Sequence, residues 1–321
     1  MTTFDCFNGD ADGICALTQL RRSTPLASTL VTGVKRDINL LATIVDQTQP
    51  GDQVIALDIS LDKNRAALNT LLSKSVSVFY CDHHFAGEIP ESDYLTHSIN
   101  TAPETCTSML INQQLEDRYL EWAIAGTFGD NLHKSASGLA KRADMNTAQL
   151  DTLQALGLYL NYNGYGASIE DLYFHPADLV QQTMQYDSAL DFVSSNADTY
   201  QTLEQGYHDD MRRAESAEVI FANEQVKVIL LEQGSWSRRV SGVFGNALAN
   251  QNPATAHAVL SHGSDGHYVV SVRAPLANRH GADEVCRQFD TGGGRAAAAG
   301  INSLSANDLD RFVQLLAAQD A

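Results

Sequence analysis

Thr3-Phe4-Asp5-Cys6-Phe7-Asn8-Gly9-Asp10-Ala11-Asp12-Gly13 is a β-rich run that breaks into a turn of aspartate and glycine. From Gly13 to Arg22 the residues Ile14, Leu17 and Leu20 share one helical face, so strand, turn and helix follow one another. The pattern then repeats. Leu30 to Val34, Gln53 to Ile59 and Ser75 to Tyr80 read as further strands. Asp62 to Leu72 reads as a second crossover helix behind a Ser60 cap, with Ala66, Leu68, Leu71 and Leu72 in phase. Alternation of this kind is the βαβ signature of a parallel sheet, whose ligands bind at the carboxyl ends of the strands.

Helices are expected next around Thr105 to Leu120, Asn146 to Leu160, Pro176 to Tyr186 and from Ser188 onward. A polar stretch from Asp198 to Glu218 reads as a solvated helix. Beyond it, strands are expected at Val226 to Leu231, Ala256 to Leu260 and Tyr268 to Arg273, with helices at Ser241 to Asn250, Ala282 to Phe289 and Asn307 to Ala317. The expected class is α/β. A parallel-sheet domain with a helical extension covers 1–195, a linker helix 196–218, and a smaller α/β domain 219–321.

Composition narrows the function. The 321 residues fit two domains with ordinary cores. A formal charge of −18 disfavours long duplex nucleic acid, whose binding draws on many cationic contacts. Five cysteines, at 6, 15, 81, 106 and 286, form no C-x-x-C pair and are odd in number. That argues against a disulfide framework and a thiolate zinc site, and for a reducing cytoplasm. The start lacks a signal-peptide pattern and no 18-residue apolar run follows, so no membrane partner is expected.

Four clusters carry the chemistry. In Asn8 to Gly13 the aspartates alone are explained by a turn, and an EF-hand loop fails because its twelfth position is Gln19. Asp58 ends the apolar run Val54-Ile55-Ala56-Leu57, where a helix cap is the simpler account. Asp82-His83-His84 follows Phe79-Tyr80-Cys81, and packing does not explain two histidines there. Gly129-Asp130-Asn131 follows the small apolar stretch Ala123 to Phe128. Together these put Asp10, Asp12, Asp58, His83 and Asp130 on one rim, and so many carboxylates do not all stay ionised without cations. Oxygen donors with one or two imidazoles favour Mn²⁺ or Mg²⁺. Two such ions about 4 Å apart, sharing a carboxylate, suit in-line attack of water on phosphorus.

With these motifs in this order, the sequence resembles the DHH phosphoesterase superfamily, whose Asp-His-His motif stands here as Asp82-His83-His84. The second region resembles the family's associated C-terminal domain through Ser271-Val272-Arg273 and the run Gly292-Gly293-Gly294-Arg295. The resemblance implies two Mn²⁺ ions, one on Asn8, Asp10 and Asp58 and the other on Asp12, Asp58, His83 and Asp130. It implies catalytic roles for Asp58 as the bridge, for His84 facing the phosphate, and for Asp82 orienting the histidines. It assigns substrate binding to Ser271, Arg273, Gly292, Gly293, Gly294 and Arg295, and His133 is close enough in sequence to Asp130 to join them. Two residues depart from the family pattern: Asn8 replaces a histidine or aspartate, and Arg295 replaces a histidine.

The family includes exonucleases, nano-RNases, dinucleotide phosphodiesterases and pyrophosphatases. A two-domain acidic chain, without an added nucleic-acid module or a basic track, points to short linear nucleotides such as pGpG. A broader nano-RNase or 3′,5′-bisphosphate nucleotide phosphatase is the nearest alternative. A non-catalytic nucleotide sensor is another, motivated by Asn8 and Arg295. A homodimer stays open.

Overall fold

The computed structural model describes residues 1–263 and 266–318. The chain divides into two compact units, Met1–Gly164 with Ser168–Glu204, and Tyr165–Ala167 with Gln205–Ala321. The division falls inside one helix, between Glu204 and Gln205, and not at the expected limits of 195 and 219. The expected second domain, 219–321, also includes 264–265 and 319–321, which lie outside the described residues.

The first unit runs β1 (Thr3–Phe7), α1 (Ala11–Ser23), β2 (Thr29–Val31), β3 (Gln53–Leu57), α2 (Leu61–Ser73), β4 (Ser77–Asp82) and β5 (Leu95–Ile99). Then come α3 (Thr107–Gln114), α4 (Leu120–Gly129), α5 (His133–Ala140), α6 (Thr147–Gly164), α7 (Pro176–Thr183), α8 (Ala189–Ser195) and α9 (Ala197–Glu215), of which the part up to Glu204 belongs to this unit. Its sheet has the order β2-β1-β3-β4-β5, with all neighbours parallel. Helices cover both faces. On one, Leu61, Leu68, Leu71 and Leu72 of α2 pack with Val54, Ala56, Val78 and Tyr80, each buried leucine contributing about 2 kcal/mol. On the other, α1 packs against α3, α4 and α6. The strand order reverses at β1 and β3, so their carboxyl ends frame the crevice typical of open parallel sheets.

Several elements of this unit differ from expectation, α5 among them. The helix expected over Thr105 to Leu120 stops at Gln114, because Glu116 (φ 52°) and Asp117 (φ 63°) turn left-handed. A new helix, α4, then starts at Leu120, so Asp130 follows a helix end. Ser60 occupies the N-cap of α2 without capping it, since its Oγ donates to the Phe85 carbonyl at 3.2 Å. β5 has no counterpart among the expected strands. It is an edge strand, and Leu95-Thr96-His97-Ser98-Ile99 is half-exposed along its length.

The second unit holds β6 (Glu218–Ala222), β7 (Val226–Leu230), α10 (Ser235–Gln251), β8 (Ala256–His262), β9 (Tyr268–Arg273), α11 (Ala282–Cys286), β10 (Gly292–Arg295), β11 (Ala298–Leu304) and α12 (Leu309–Ala317). Its mixed sheet has the order β10-β11-β9-β8-β7-β6. Val228, Leu260, Val272 and Ile301 form its core with Val285, Phe312 and Leu316. Gly292 to Arg295 is an edge strand paired antiparallel with β11, and Gly294 takes a φ of 141°.

Candidate metal centre

Strand ends of the first unit deliver most of the acidic groups. After β1, the Asn8 N–H bonds the Leu57 carbonyl at 3.2 Å, and α1 begins at once. The tightness needs glycine: a Cβ on Gly13 would stand 2.2 Å from the Asn8 carbonyl oxygen. Asp10 is the N-cap of α1, its Oδ1 accepting from the N–H groups of Asp12 and Gly13 at 3.1 Å each. Asp58 follows β3 with a φ of 60°, a conformation that aspartate tolerates better than most residues, and its N–H bonds the Cys81 carbonyl at 3.0 Å. Asp82 is the last residue of β4, and His83 and His84 follow it.

His83 is the hub. Its Nε2 lies 3.3 Å from Asp58 Oδ1, 3.5 Å from Asp130 Oδ2 and 3.9 Å from Asp12 Oδ2. One imidazole nitrogen carries at most one proton and cannot satisfy three carboxylates. Asp12, Asp58 and His83 are buried, and so is Asp82. Two groups have ligating atoms close enough to share an ion: Asp12 with His83 and Asp130, and Asp58 with His83 and His84. Three carboxylates converging with an imidazole fit a divalent cation of the Mn²⁺ or Mg²⁺ class.

The electrostatics agree. Burial pushes the Asp58 carboxyl well above the usual range, and the charges of Asp12 and Asp10 push it further. Asp12 is raised as well, by burial and then by Asp130. A cation offsets both effects by favouring the ionised forms. For His84, burial lowers the pKa, but the hydrogen bond from Nδ1 to Asp82 Oδ1 (2.7 Å) and the charges of Asp82 and Asp58 outweigh it and leave the imidazole raised. The ring is about a third exposed, at 35 %.

Several positioning groups carried no sequence motif. The N-terminus of α3 holds Asp12 through the N–H groups of Thr107 and Ser108, each 2.7 Å from a carboxylate oxygen. Thr107 Oγ1 donates to Asp58 Oδ1 at 3.1 Å. Lys35, four residues past β2, donates from Nζ to Asp10 Oδ2 and to Asn161 Oδ1 (3.0 Å), and stands 3.9 Å from Asp130 Oδ1. A lone lysine after a strand on the same rim was the available signal.

The other expected site residues have contacts of their own. His133 is exposed at the start of α5, with Nε2 2.9 Å from Asn131 Oδ1 and its ring edge-on to Phe128. In the second unit, Arg273 donates to Asn246 Oδ1 (2.6 Å), Ser271 Oγ (2.9 Å), the Val272 carbonyl (3.0 Å) and the Gly242 carbonyl (3.1 Å), and it interacts with Tyr165. Its guanidinium ties β9 to α10. Ser271 is buried as its acceptor, whereas Arg295 is exposed on β10.

Comparison with known proteins agrees with this fold. Residues 223–319 match the DHHA1 domain. No curated protein sequence matches the chain. Among solved structures, a DHH-domain member of a family of ribosomal proteins aligns over 98 % of this chain and 85 % of its own, with a TM-score of 0.65 and 12 % identity. The exonuclease RecJ bound to manganese aligns over 98 % and 89 %, with a TM-score of 0.61 and 16 % identity. PggH, a pGpG-specific phosphodiesterase from Vibrio cholerae, aligns over 99 % of both chains, with a TM-score of 0.56 and 14 % identity. Identities this low speak to the fold alone. The chain thus carries a DHHA1 domain over 223–319 and as a whole shares the fold of these DHH-domain structures, with an Asp82-His83-His84 run at a strand end.

Proposed function

We propose that the chain is a divalent-metal-dependent phosphodiesterase, with Mn²⁺ as the favoured ion, that hydrolyses short linear nucleotides such as pGpG to mononucleotides. The observation that carries this is the convergence of Asp12, Asp58 and Asp130 on His83 Nε2 at 3.3 to 3.9 Å. Asp12, Asp58, His83 and Asp130 would hold the ion. When bound, it would polarise a phosphoryl oxygen and acidify an attacking water.

The chain's own groups do the rest. Asp82 fixes the His84 ring through Nδ1, which leaves Nε2 as the ring's other polar atom, and a raised pKa suits it to donate to a phosphate oxygen. Thr107 and the N-terminus of α3 hold Asp58 and Asp12 so that their carboxylates stay aimed. In the DHHA1 domain we assign the nucleotide's end to the exposed Arg295 and the Gly292 to Gly294 strand, with Arg273 and Ser271 supporting that sheet. The −18 charge supports a substrate short enough to need no basic track.

The test is a substrate panel with purified chain and Mn²⁺: pGpG, a ten-residue oligonucleotide and inorganic pyrophosphate. The expected result is kcat/KM for pGpG at least about tenfold above the other two, abolished by chelator. Preference for the long oligonucleotide would replace this function with an exonuclease. Binding of pGpG without turnover would replace it with a sensor.

A further inference from the structure

The residues that the family resemblance gives to a first ion are differently engaged in this chain. Asn8 brings a neutral amide, whose Nδ2 makes only a long 3.5 Å bond to the Lys35 carbonyl and whose buried Oδ1 has no hydrogen-bond partner. Both oxygens of Asp10 are engaged. Oδ1 takes the two N–H groups at the start of α1, and Oδ2 takes the Lys35 ammonium. Asp10 belongs to neither ligating group, whereas Asp12, Asp58, His83 and Asp130 all do.

We propose that the Lys35 ammonium stands in for the first ion, so that the centre binds one divalent cation per chain. This rests on the metal-dependent function proposed above and changes its stoichiometry. Charge supports it. With Asn8 neutral, the single negative charge of Asp10 is matched by the single positive charge of Lys35. Across from them, the three carboxylates around the His83 imidazole leave a surplus of negative charge that one divalent ion largely cancels.

The lysine is also held in place. Its N–H bonds the Gly164 carbonyl at 2.8 Å, Nζ bonds the buried Asn161 at 3.0 Å, and its side chain is 24 % exposed. A divalent ion on Asp10 Oδ2 would meet that ammonium as a like charge, and the Asn8 oxygen adds no negative charge to outweigh it. A lysine in this position gives phosphoryl oxygens a fixed charge and up to three donors, and no chelator removes it.

The experiment counts ions on the full-length protein by equilibrium dialysis against Mn²⁺, with electron paramagnetic resonance of the bound ion. One Mn²⁺ per chain and the six-line spectrum of an isolated ion are expected. The double variant Asn8→Asp, Lys35→Met should bind two, with the broadened spectrum of a coupled pair. Two coupled ions on the wild type overturn the proposal, and so does a folded double variant that still binds one. Should the double variant not fold, the wild-type count decides alone. Hydrolysis of pGpG by a two-ion wild type would leave the function standing and remove only this inference. One bound ion without turnover of any nucleotide would do the reverse, and no bound Mn²⁺ at all would remove both.

Discussion

The rim around His83 and the node around Arg273 both draw polar side chains into protein interior, yet they are built on opposite terms. At the rim, three carboxylates face one imidazole nitrogen at distances of 3.3 to 3.9 Å, and burial with mutual repulsion raises Asp58 and Asp12. At the node, the guanidinium of Arg273 meets oxygen acceptors of Asn246, Ser271, Val272 and Gly242 at 2.6 to 3.1 Å. A polar cluster that satisfies itself stabilises its fold, whereas one that satisfies itself only with an added cation is kept at a cost to the fold. Substitutions at the rim should therefore change activity without loss of stability, and those at the node should change stability first.

The largest effect is expected from Asp58→Ala. Steady-state kinetics with pGpG and Mn²⁺ should show a loss of about 10³-fold in kcat/KM, while the melting temperature holds or rises as repulsion is relieved. A large drop in melting temperature would break the contrast. Arg273→Ala should lower the stability of the second unit by about 2 to 3 kcal/mol in denaturant unfolding, since several buried acceptors lose a charged donor. If that variant unfolds like the wild type and only its KM rises, Arg273 is a substrate group after all.

Thr107→Val removes the hydroxyl on Asp58 but keeps the backbone N–H on Asp12. It should weaken metal affinity or turnover by about tenfold with little change in stability, read by a Mn²⁺ titration of rate. Near neutral pH the smallest effect belongs to His257 on β8, which lies buried between Lys227 and Arg273 in register. Burial first, and Lys227 second, lower its pKa from 6.5 to about 4. The unfolded chain therefore takes up a proton that the folded chain refuses between those values. Stability is fully present above pH 6.5 and declines as pH falls toward 4. His257→Leu should flatten that slope in unfolding curves recorded across the window.

The first unit was legible where its chemistry follows its periodicity. β1 ends at Phe7 as the alternation predicts, and the aspartates and histidines that break the apolar runs at Asn8, Asp58 and Asp82 all come to one strand-end rim. Three of the four edge strands were not legible. Leu95 to Ile99, Glu218 to Ala222 and Gly292 to Arg295 carry little apolar pattern, because pairing on one side only defines them. The interior strand Ala298–Leu304 hid behind small residues for the same lack of pattern. Within the centre, Lys35, Thr107 and Asn161 escaped notice because their contacts to the site run across long sequence separations. Asp10 was seen as a ligand, but its capping of α1 and its bond to Lys35 depend on the fold.

The most direct test of the account is the rate of pGpG hydrolysis by the purified chain as Mn²⁺ is titrated in after exhaustive chelation, with Asp58→Ala alongside. Turnover that rises from zero with added Mn²⁺, yields mononucleotides and falls about 10³-fold in the variant is the predicted result. Hydrolysis that persists in chelator, or that Asp58→Ala retains above about a tenth of the wild-type rate, would contradict it.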